Sequence, residues 1–546
     1  MNKVYISFLA ALAIMLLCSC NDFLEEDPTD RLTVDKAITS RSELFLNCVA
    51  NLYRDVGGSS NAQGLQGTSH GLYDLNTFDT DEAMVPTRGA DWYDGGYWQA
   101  LYTHDFSQAD GTGDVWNYLF RQVLACNVSL KRIADFAATH PGENVNEYIA
   151  EVRGLRAMYM FYAMDLYGRL PIFDSPTPSA SQLALQPRSK VYQYIIDELL
   201  AIEPQLSIKS SCLPGEYYGR FTKPVALFLL AKLALNVEVY NDDDWTDDLR
   251  PNGSQFFFTL YGNKLNAWEA VVYICDYLSN LGFRMEDDFS TNFAVHNEVS
   301  RENIFVIPMD KLLYDSQFVN LFRSRHYNHA AALGLNGENG PCATREALMA
   351  FGLFEGQAID AEDVDPRFAL TYYCGQVYDL NGNIITLDDG TPLVYEPWKV
   401  ALDVSGTPWE KTAGARMRKY EIDPTATMDG RHSDNDIVLM RMADVVLMKA
   451  EALLRNGDDG SEPFNEVRER VSAKPMECTL ATVLDERQRE LAWEGWRRND
   501  LIRYGLFTRA YSDRPQLPGE SNGYTTVFPI PGEFLNFTRC LQNPGW

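Results

Sequence analysis

Apolar residues along much of this chain recur at intervals of three and four, the spacing that lines one face of an α-helix. Between Asp114 and Thr139 the set Val115, Trp116, Leu119, Phe120, Val123, Leu130 and Ile133 keeps this period, and between Asn146 and Tyr167 the set Ile149, Val152, Leu155, Met158, Tyr159 and Tyr162 repeats it. Gly168 and Pro171 end the second run, and His140-Pro141-Gly142-Glu143 turns the chain between the two, so a helical hairpin is predicted. A second hairpin is predicted from about Lys190 to Ile202 and from Pro224 to Tyr240, with Thr222 placed to cap and Pro224 in the first turn. Asn266, with Glu269 three residues on, opens another helix that runs to Asn280 and is closed by Gly282. Later helices are expected from about Asp436 to Arg455, from Glu462 to Val471 and from Leu480 to Arg503.

Paired helices of this length predict a mainly α fold of stacked hairpins, in which each pair is buried against its neighbours and one curved face stays open. From about Met285 to Pro424 the period fades, and Gly, Asn, Pro and Asp punctuate the chain, as in Asn336-Gly337-Glu338-Asn339-Gly340. That stretch, with Gly57 to Tyr102, reads as an irregular, loop-rich lobe containing short strands. The chain is accordingly divided into residues 1–19, 20–240 (hairpins plus a loop at 57–102) and 241–546 (the irregular lobe at about 285–424, then the last helices).

The amino end has a different pattern. Lys3 precedes an apolar run from Val4 to Leu17, of signal-peptide rather than membrane-spanning length. Leu17-Cys18-Ser19-Cys20 resembles the bacterial lipobox, which makes residues 1–19 a signal peptide and Cys20 the lipidated first residue of the mature chain. Acyl chains contribute about 0.8 kcal/mol per buried methylene, so a multiply acylated Cys20 would tether a soluble body to a bilayer. The acids of Asn21 to Asp27 resemble the tag that exports lipoproteins to the cell surface in Bacteroidota.

Charge and cysteine content narrow the function classes. The 546 residues carry a formal charge of -29 and no cluster of Lys and Arg, which excludes a phosphate backbone as the natural partner. The ten cysteines form no CxxC pair, and the seven histidines include no HExxH, so no metal or other cofactor is expected. Gly67-Thr68-Ser69-His70-Gly71 has GxSxG spacing but lacks the flanking strand and helix that a nucleophile elbow requires.

Five motifs spread along the chain are similar to those of the SusD/RagB family. Glu151 to Gly168, continued by Arg169-Leu170-Pro171, resembles that family's ExRxLRAxxYFxLxxxYGxxP helix. Asp436 to Ala452 resembles its ADVxLxxAEA helix, and Glu486 to Arg503 its ERRxELxxEGxRxxDLxR segment. Asp365-Pro366-Arg367 matches a short DPR element, and Phe528 to Pro531 with Gln542 to Trp546 matches the PIP and QNPGY endings. Asn499 departs from the pattern, as does Asn536-Phe537 where Asn-Pro is usual. The charged members of these motifs sit at helical spacings, and their physical reading is fold maintenance through ion pairs.

The resemblance implies a tetratricopeptide-like helical stack with a ligand-bearing lobe. It implies a surface-exposed, outer-membrane lipoprotein, not an enzyme, that captures oligo- or polysaccharide and delivers it to a SusC-like TonB-dependent transporter. A peptide-binding, RagB-like lipoprotein and a glycan-degrading enzyme are the alternatives. Residues 79–98 hold the candidate site, since they gather aromatics, acids, an arginine and glycines in one loop-like segment. Aromatic rings offer a flat apolar surface to the C–H faces of sugars, and carboxylates and guanidinium groups bond hydroxyls. Trp92, Tyr93 and Trp98 are the candidates for stacking, and Asp81, Arg88 and Asp91 for hydroxyl contacts. Arg325, Tyr327 and Asn336 form a secondary set.

Overall fold

The computed structural model describes residues 38–60, 63–107, 112–318, 323–427 and 430–546. The leader and Cys20 lie outside these residues. The predicted hairpins are present: α1 (Thr112–Thr139) packs along α2 (Asn146–Tyr167), followed by α3 (Arg188–Ile202), α4 (Lys223–Leu235) and α5 (Ala267–Asn280). α6 (Met442–Asn456), α7 (Ser461–Arg470), α8 (Leu480–Leu491) and α9 (Arg497–Arg503) complete the stack. Successive helices touch along it, α1 on α2, α2 on α3, α4 on α5 and α5 on α6. α2 and α4 are buried on almost every face, as helices flanked on both sides must be. Gly154 allows the close approach on α2, for a Cβ there would lie 2.3 Å from the Phe221 ring.

Local signals fared unevenly. Asn266 and Glu269 form the expected capping box. Thr222 is the N-cap residue of α4, but its hydroxyl makes no capping bond. Two predicted helices are shorter than their apolar patterns. Ile437–Arg441 is a strand paired antiparallel with Asn303–Ile307, and the helix begins only at Met442. Both strands are wholly buried, and a short continuous apolar run fits either state by periodicity alone. The other run breaks between α8 and α9, where Trp493 (φ 67°) and Gly495 (φ 75°) take left-handed backbone. Tertiary bonds replace the helical ones there: the Trp493 N–H donates to Glu82 Oε1 at 2.9 Å, and Lys419 Nζ donates to the carbonyls of Glu490 and Ala492 at 2.8 and 2.7 Å.

Residues 285–424 contain short helices and two-stranded pairings, among them Ala83–Met84 with Cys342–Ala343 and Tyr372–Tyr373 with Arg416–Met417. One apolar cluster extends from Ile38 to Ile530 and includes residues of both the helical stack and the irregular lobe.

Into this core the motif residues bring charge. Glu490 faces Arg367, Arg441 and Arg470 at 2.8, 2.5 and 2.5 Å, and Glu486 faces Arg367, Arg468 and Arg489 at 2.5, 2.6 and 2.8 Å. Asp500 joins Arg487 to Arg503, and Asp444 joins Arg487 to Lys232. Burial by itself would raise the Glu490 carboxyl, but Arg470, Arg441 and Arg367 together hold it well below the carboxylate range. Elsewhere Arg153 and Arg156 of α2 share Glu198 of α3. Asn499, the departure from the family pattern, donates to Asp165 Oδ1 at 2.8 Å and to the Tyr240 hydroxyl at 2.9 Å. The tail closes the stack, with Asn543 Nδ2 donating to the Tyr167 carbonyl at 2.7 Å.

Candidate functional site

Residues 79–98 divide into a buried half and an exposed one. From Asp81 to Arg88 every residue is buried, held by the pairing of Ala83–Met84 with Cys342–Ala343. The chain surfaces at Gly89, crosses the exterior to Gly96, and re-enters as the helix Tyr97–Thr103. Gly95 (φ 67°) and Gly96 (φ 92°) make the turn that re-entry needs.

The six candidate residues separate along this boundary. Asp81 is 1% exposed, and its carboxylate takes Arg497 Nε at 2.6 Å, Arg497 Nη2 at 2.9 Å and Arg509 Nη2 at 2.8 Å. Burial raises its pKa, but Arg497 and then Arg509 overcome that and hold the group below its ordinary value. Arg88 is 4% exposed, with Nη1 on the Glu410 carbonyl at 2.8 Å and Nη2 on the Ala413 carbonyl at 2.9 Å. Burial, and next the nearby Arg416, bring its pKa down to about 9. Trp98 is 3% exposed, and its Nε1 donates to Asp94 Oδ2 at 2.6 Å. A glycan reaches none of these three without opening the fold. They brace the loop, since their partners lie on α9, on residues 410–413 and within the loop itself.

Tyr93 and Asp91 face outward, and Trp92 is half-buried between the surface and the core. Trp92 has φ 62°, its Nε1 donates to the Glu338 carbonyl at 2.7 Å, and its half-buried ring lies on Gly340, where a Cβ would be 2.6 Å from Cζ2. Tyr93 is 54% exposed. The exposed Asp91 accepts the Tyr327 hydroxyl at 2.9 Å through Oδ2. Tyr327, from the secondary set, is itself 44% exposed, while Arg325 of that set is buried and Asn336 is exposed. Two segments 236 residues apart thus meet, the Asp91 carboxylate beside Trp92 and Tyr93 in sequence accepting from the Tyr327 ring hydroxyl. His70 and Tyr97 add a further pair, their half-buried rings stacked with centroids 3.6 Å apart. The GxSxG spacing that contains His70 gives no sign of this stacking.

Other chemistry does not assemble. A short helix, Leu72–Thr77, does follow Gly71, contrary to the flank expected from the sequence, but no described strand leads into the segment, and Ser69 Oγ accepts from Arg323 Nη1 at 2.5 Å. His326 caps the helix Tyr327–Ala332, and His329 Nδ1 meets the Tyr395 hydroxyl at 3.0 Å. Burial and then neighbouring arginines lower these histidines to about 4 and about 3. Among the described residues no group of three or more His, Cys, Asp or Glu is arranged for a metal ion, and the eight described cysteines are free.

Residues 361–546, which hold the DPR element, the buried ion-pair helices and the tail, match the SusD family model. Over this segment the chain is similar to the SusD family. It is 27% identical over 423 residues to the starch-binding protein SusD of Bacteroides thetaiotaomicron, covering 73% of this chain and 72% of that protein. It is 24% identical to the SusD-like protein P25 of Formosa agariphila, covering 96% and 95%. A solved laminarin-binding SusD-like protein superposes with a TM-score of 0.67 at 19% identity, over 93% of this chain and all of that one, a likeness of fold. The SusD-like helical stack therefore extends well beyond the segment that the family model matches.

Proposed function

We propose that this SusD-like protein is a non-enzymatic binder that captures oligo- or polysaccharide on the surface formed by Trp92, Tyr93, Asp91 and Tyr327. The observation that carries this reading is the exposure of Tyr93 and Tyr327 on two distant segments that the Asp91–Tyr327 and Trp92–Glu338 hydrogen bonds join. Rings fixed before the ligand arrives lose little freedom on binding, which favours affinity. The names of two relatives, starch-binding and laminarin-binding, point to the same ligand class. Asp81, Arg88 and Trp98 serve that surface from beneath it.

In this reading, which the lipobox resemblance at Cys20 supports, an acylated Cys20 tethers the body to the outer membrane, and the protein hands cargo to a SusC-like TonB-dependent transporter. No described helix is long and apolar enough to cross a membrane. Calorimetry against a glycan panel and a peptide library tests the binding role. Saturable glycan binding that falls at least tenfold in Trp92→Ala is expected, and binding of peptides alone would replace the reading. Radiolabelled palmitate should enter the wild type and not Cys20→Ala, and co-purification of a TonB-dependent transporter with the tagged chain tests the handover.

A further inference from the structure

Far along the chain from the aromatic loop, segments 242–250 and 505–526 enclose a cleft of about 400 Å³, within the range of small-molecule sites. Arg188 stands in its wall, 3% exposed, with its guanidinium 4.5 Å from the centroid of the Trp245 ring. Its Nε donates to the Asp242 carbonyl at 2.9 Å, but its Nη2 lies 3.9 Å from the Asp242 carboxylate, too far for a hydrogen bond. Neither Nη group has a hydrogen-bond partner among the described residues. Trp245, 7% exposed, also lines the cleft, and its indole N–H is unbonded. Buried donors are nearly always paired, and leaving one unmade costs about 1–3 kcal/mol. The Trp245 N–H is such a donor, and the Arg188 guanidinium, its Nη groups free of protein hydrogen bonds, stands beside it in the cleft wall, so the two together offer a place for an acceptor.

The charge around the cleft decides which acceptor. Arg250 supplies a second guanidinium, already bonded to the Arg503 and Ile502 carbonyls at 3.0 and 2.8 Å. Against these two cations stand Asp242 and Asp248 in the lining, and Asp243, Asp244 and Asp247 on the same loop. A free anion would meet the Asp242 and Asp248 carboxylates, with three more acids on the same loop, and a cation would meet two guanidinium groups. A neutral polyol fits both: its hydroxyl oxygens accept from Arg188 and Trp245, and its O–H groups donate to Asp248 and the Asn522 amide. We infer that this cleft is a second carbohydrate site, separate from the aromatic surface, that takes one or two neutral sugar rings.

The test uses the folded chain with maltose, laminaribiose and cellobiose as probes, digalacturonate and glucosamine as charged controls, and saturation-transfer difference NMR as the readout. In Trp92→Ala, which removes the main ring of the aromatic surface, at least one neutral disaccharide should keep its signal. That signal should fall at least fivefold in Thr508→Trp and in Ser521→Trp, each of which puts an indole at a residue that lines the cleft. Ser521 is exposed, so its variant decides the matter should Thr508→Trp fail to fold. Absence of any neutral-sugar signal in Trp92→Ala, persistence of the signal in Ser521→Trp, or a stronger response to either charged control would overturn the proposal. Cleft binding without Trp92-dependent binding would instead overturn the reading of the aromatic surface, so the two fail separately.

Discussion

Glu490 and Asp91 are both acids, yet one touches no solvent and faces three guanidinium groups, while the other lies exposed and meets a single tyrosyl hydroxyl. Around α8 and α9, charge is interior and mutually compensated. Along residues 89–96, an outward carboxylate lies among rings. Removing a partner inside leaves an unpaired buried charge, whereas a change outside is met by water. Stability and ligand affinity are therefore expected to respond to different residues.

The largest effect should come from Glu490→Gln, which faces Arg367, Arg441 and Arg470 with a neutral amide. Stability should fall by about 3–5 kcal/mol in denaturant unfolding, and a loss below about 1 kcal/mol would break the contrast. Trp98→Ala should cost about 3–5 kcal/mol as well, because its buried ring leaves a cavity under the loop. Trp92→Ala should instead reduce glycan affinity at least tenfold, about 1.4 kcal/mol, with a far smaller change in stability. Calorimetry beside thermal melting separates the two quantities. If Trp92→Ala and Trp98→Ala lost stability equally, the boundary drawn between supporting and contacting rings would be misplaced.

A pH effect sharpens the picture within the irregular lobe. His326 and His329 have folded pKa values of about 4 and about 3, below the ordinary 6.5, so the unfolded chain binds more protons than the folded one between those values. Their contribution to stability is complete above pH 6.5 and is lost as pH falls through that window. Asp74, Asp79 and Glu82, raised by burial to about 7, 8 and 7, act in the opposite sense, losing stability as pH rises from the ordinary carboxylate range. The test is therefore a difference: His329→Gln should lose less stability than the wild type between pH 6.5 and pH 4 in urea unfolding. The smallest effect is expected from Tyr327→Phe, which removes one exposed hydrogen bond and should lower affinity about threefold or less while leaving stability within about 0.5 kcal/mol.

The hairpin helices and the capping box at Asn266 were legible because each depends on neighbours within a few positions in sequence. Period, cap and turn are local properties. The sequence by itself determined that helices stack, that residues 79–98 gather aromatics, acids and glycines in one segment, and that the motif charges sit at spacings suited to ion pairs. It could not determine that Ile437–Arg441 would pair as a strand, that Trp493 would break a helix, or that Asp81, Arg88 and Trp98 would turn inward. The strand, the helix break and the turning of Asp81 and Arg88 depended on partners remote in sequence, Asn303–Ile307, Glu82, Arg497 and Glu410, and the Trp98 ring on packing against His70 and Phe78 as well as on nearby Asp94. The same holds for Tyr327, which reaches Asp91 only in the folded chain. Tertiary structure decided which residues of one suggestive segment face solvent, because a side chain's burial depends on everything packed around it and not on its own type.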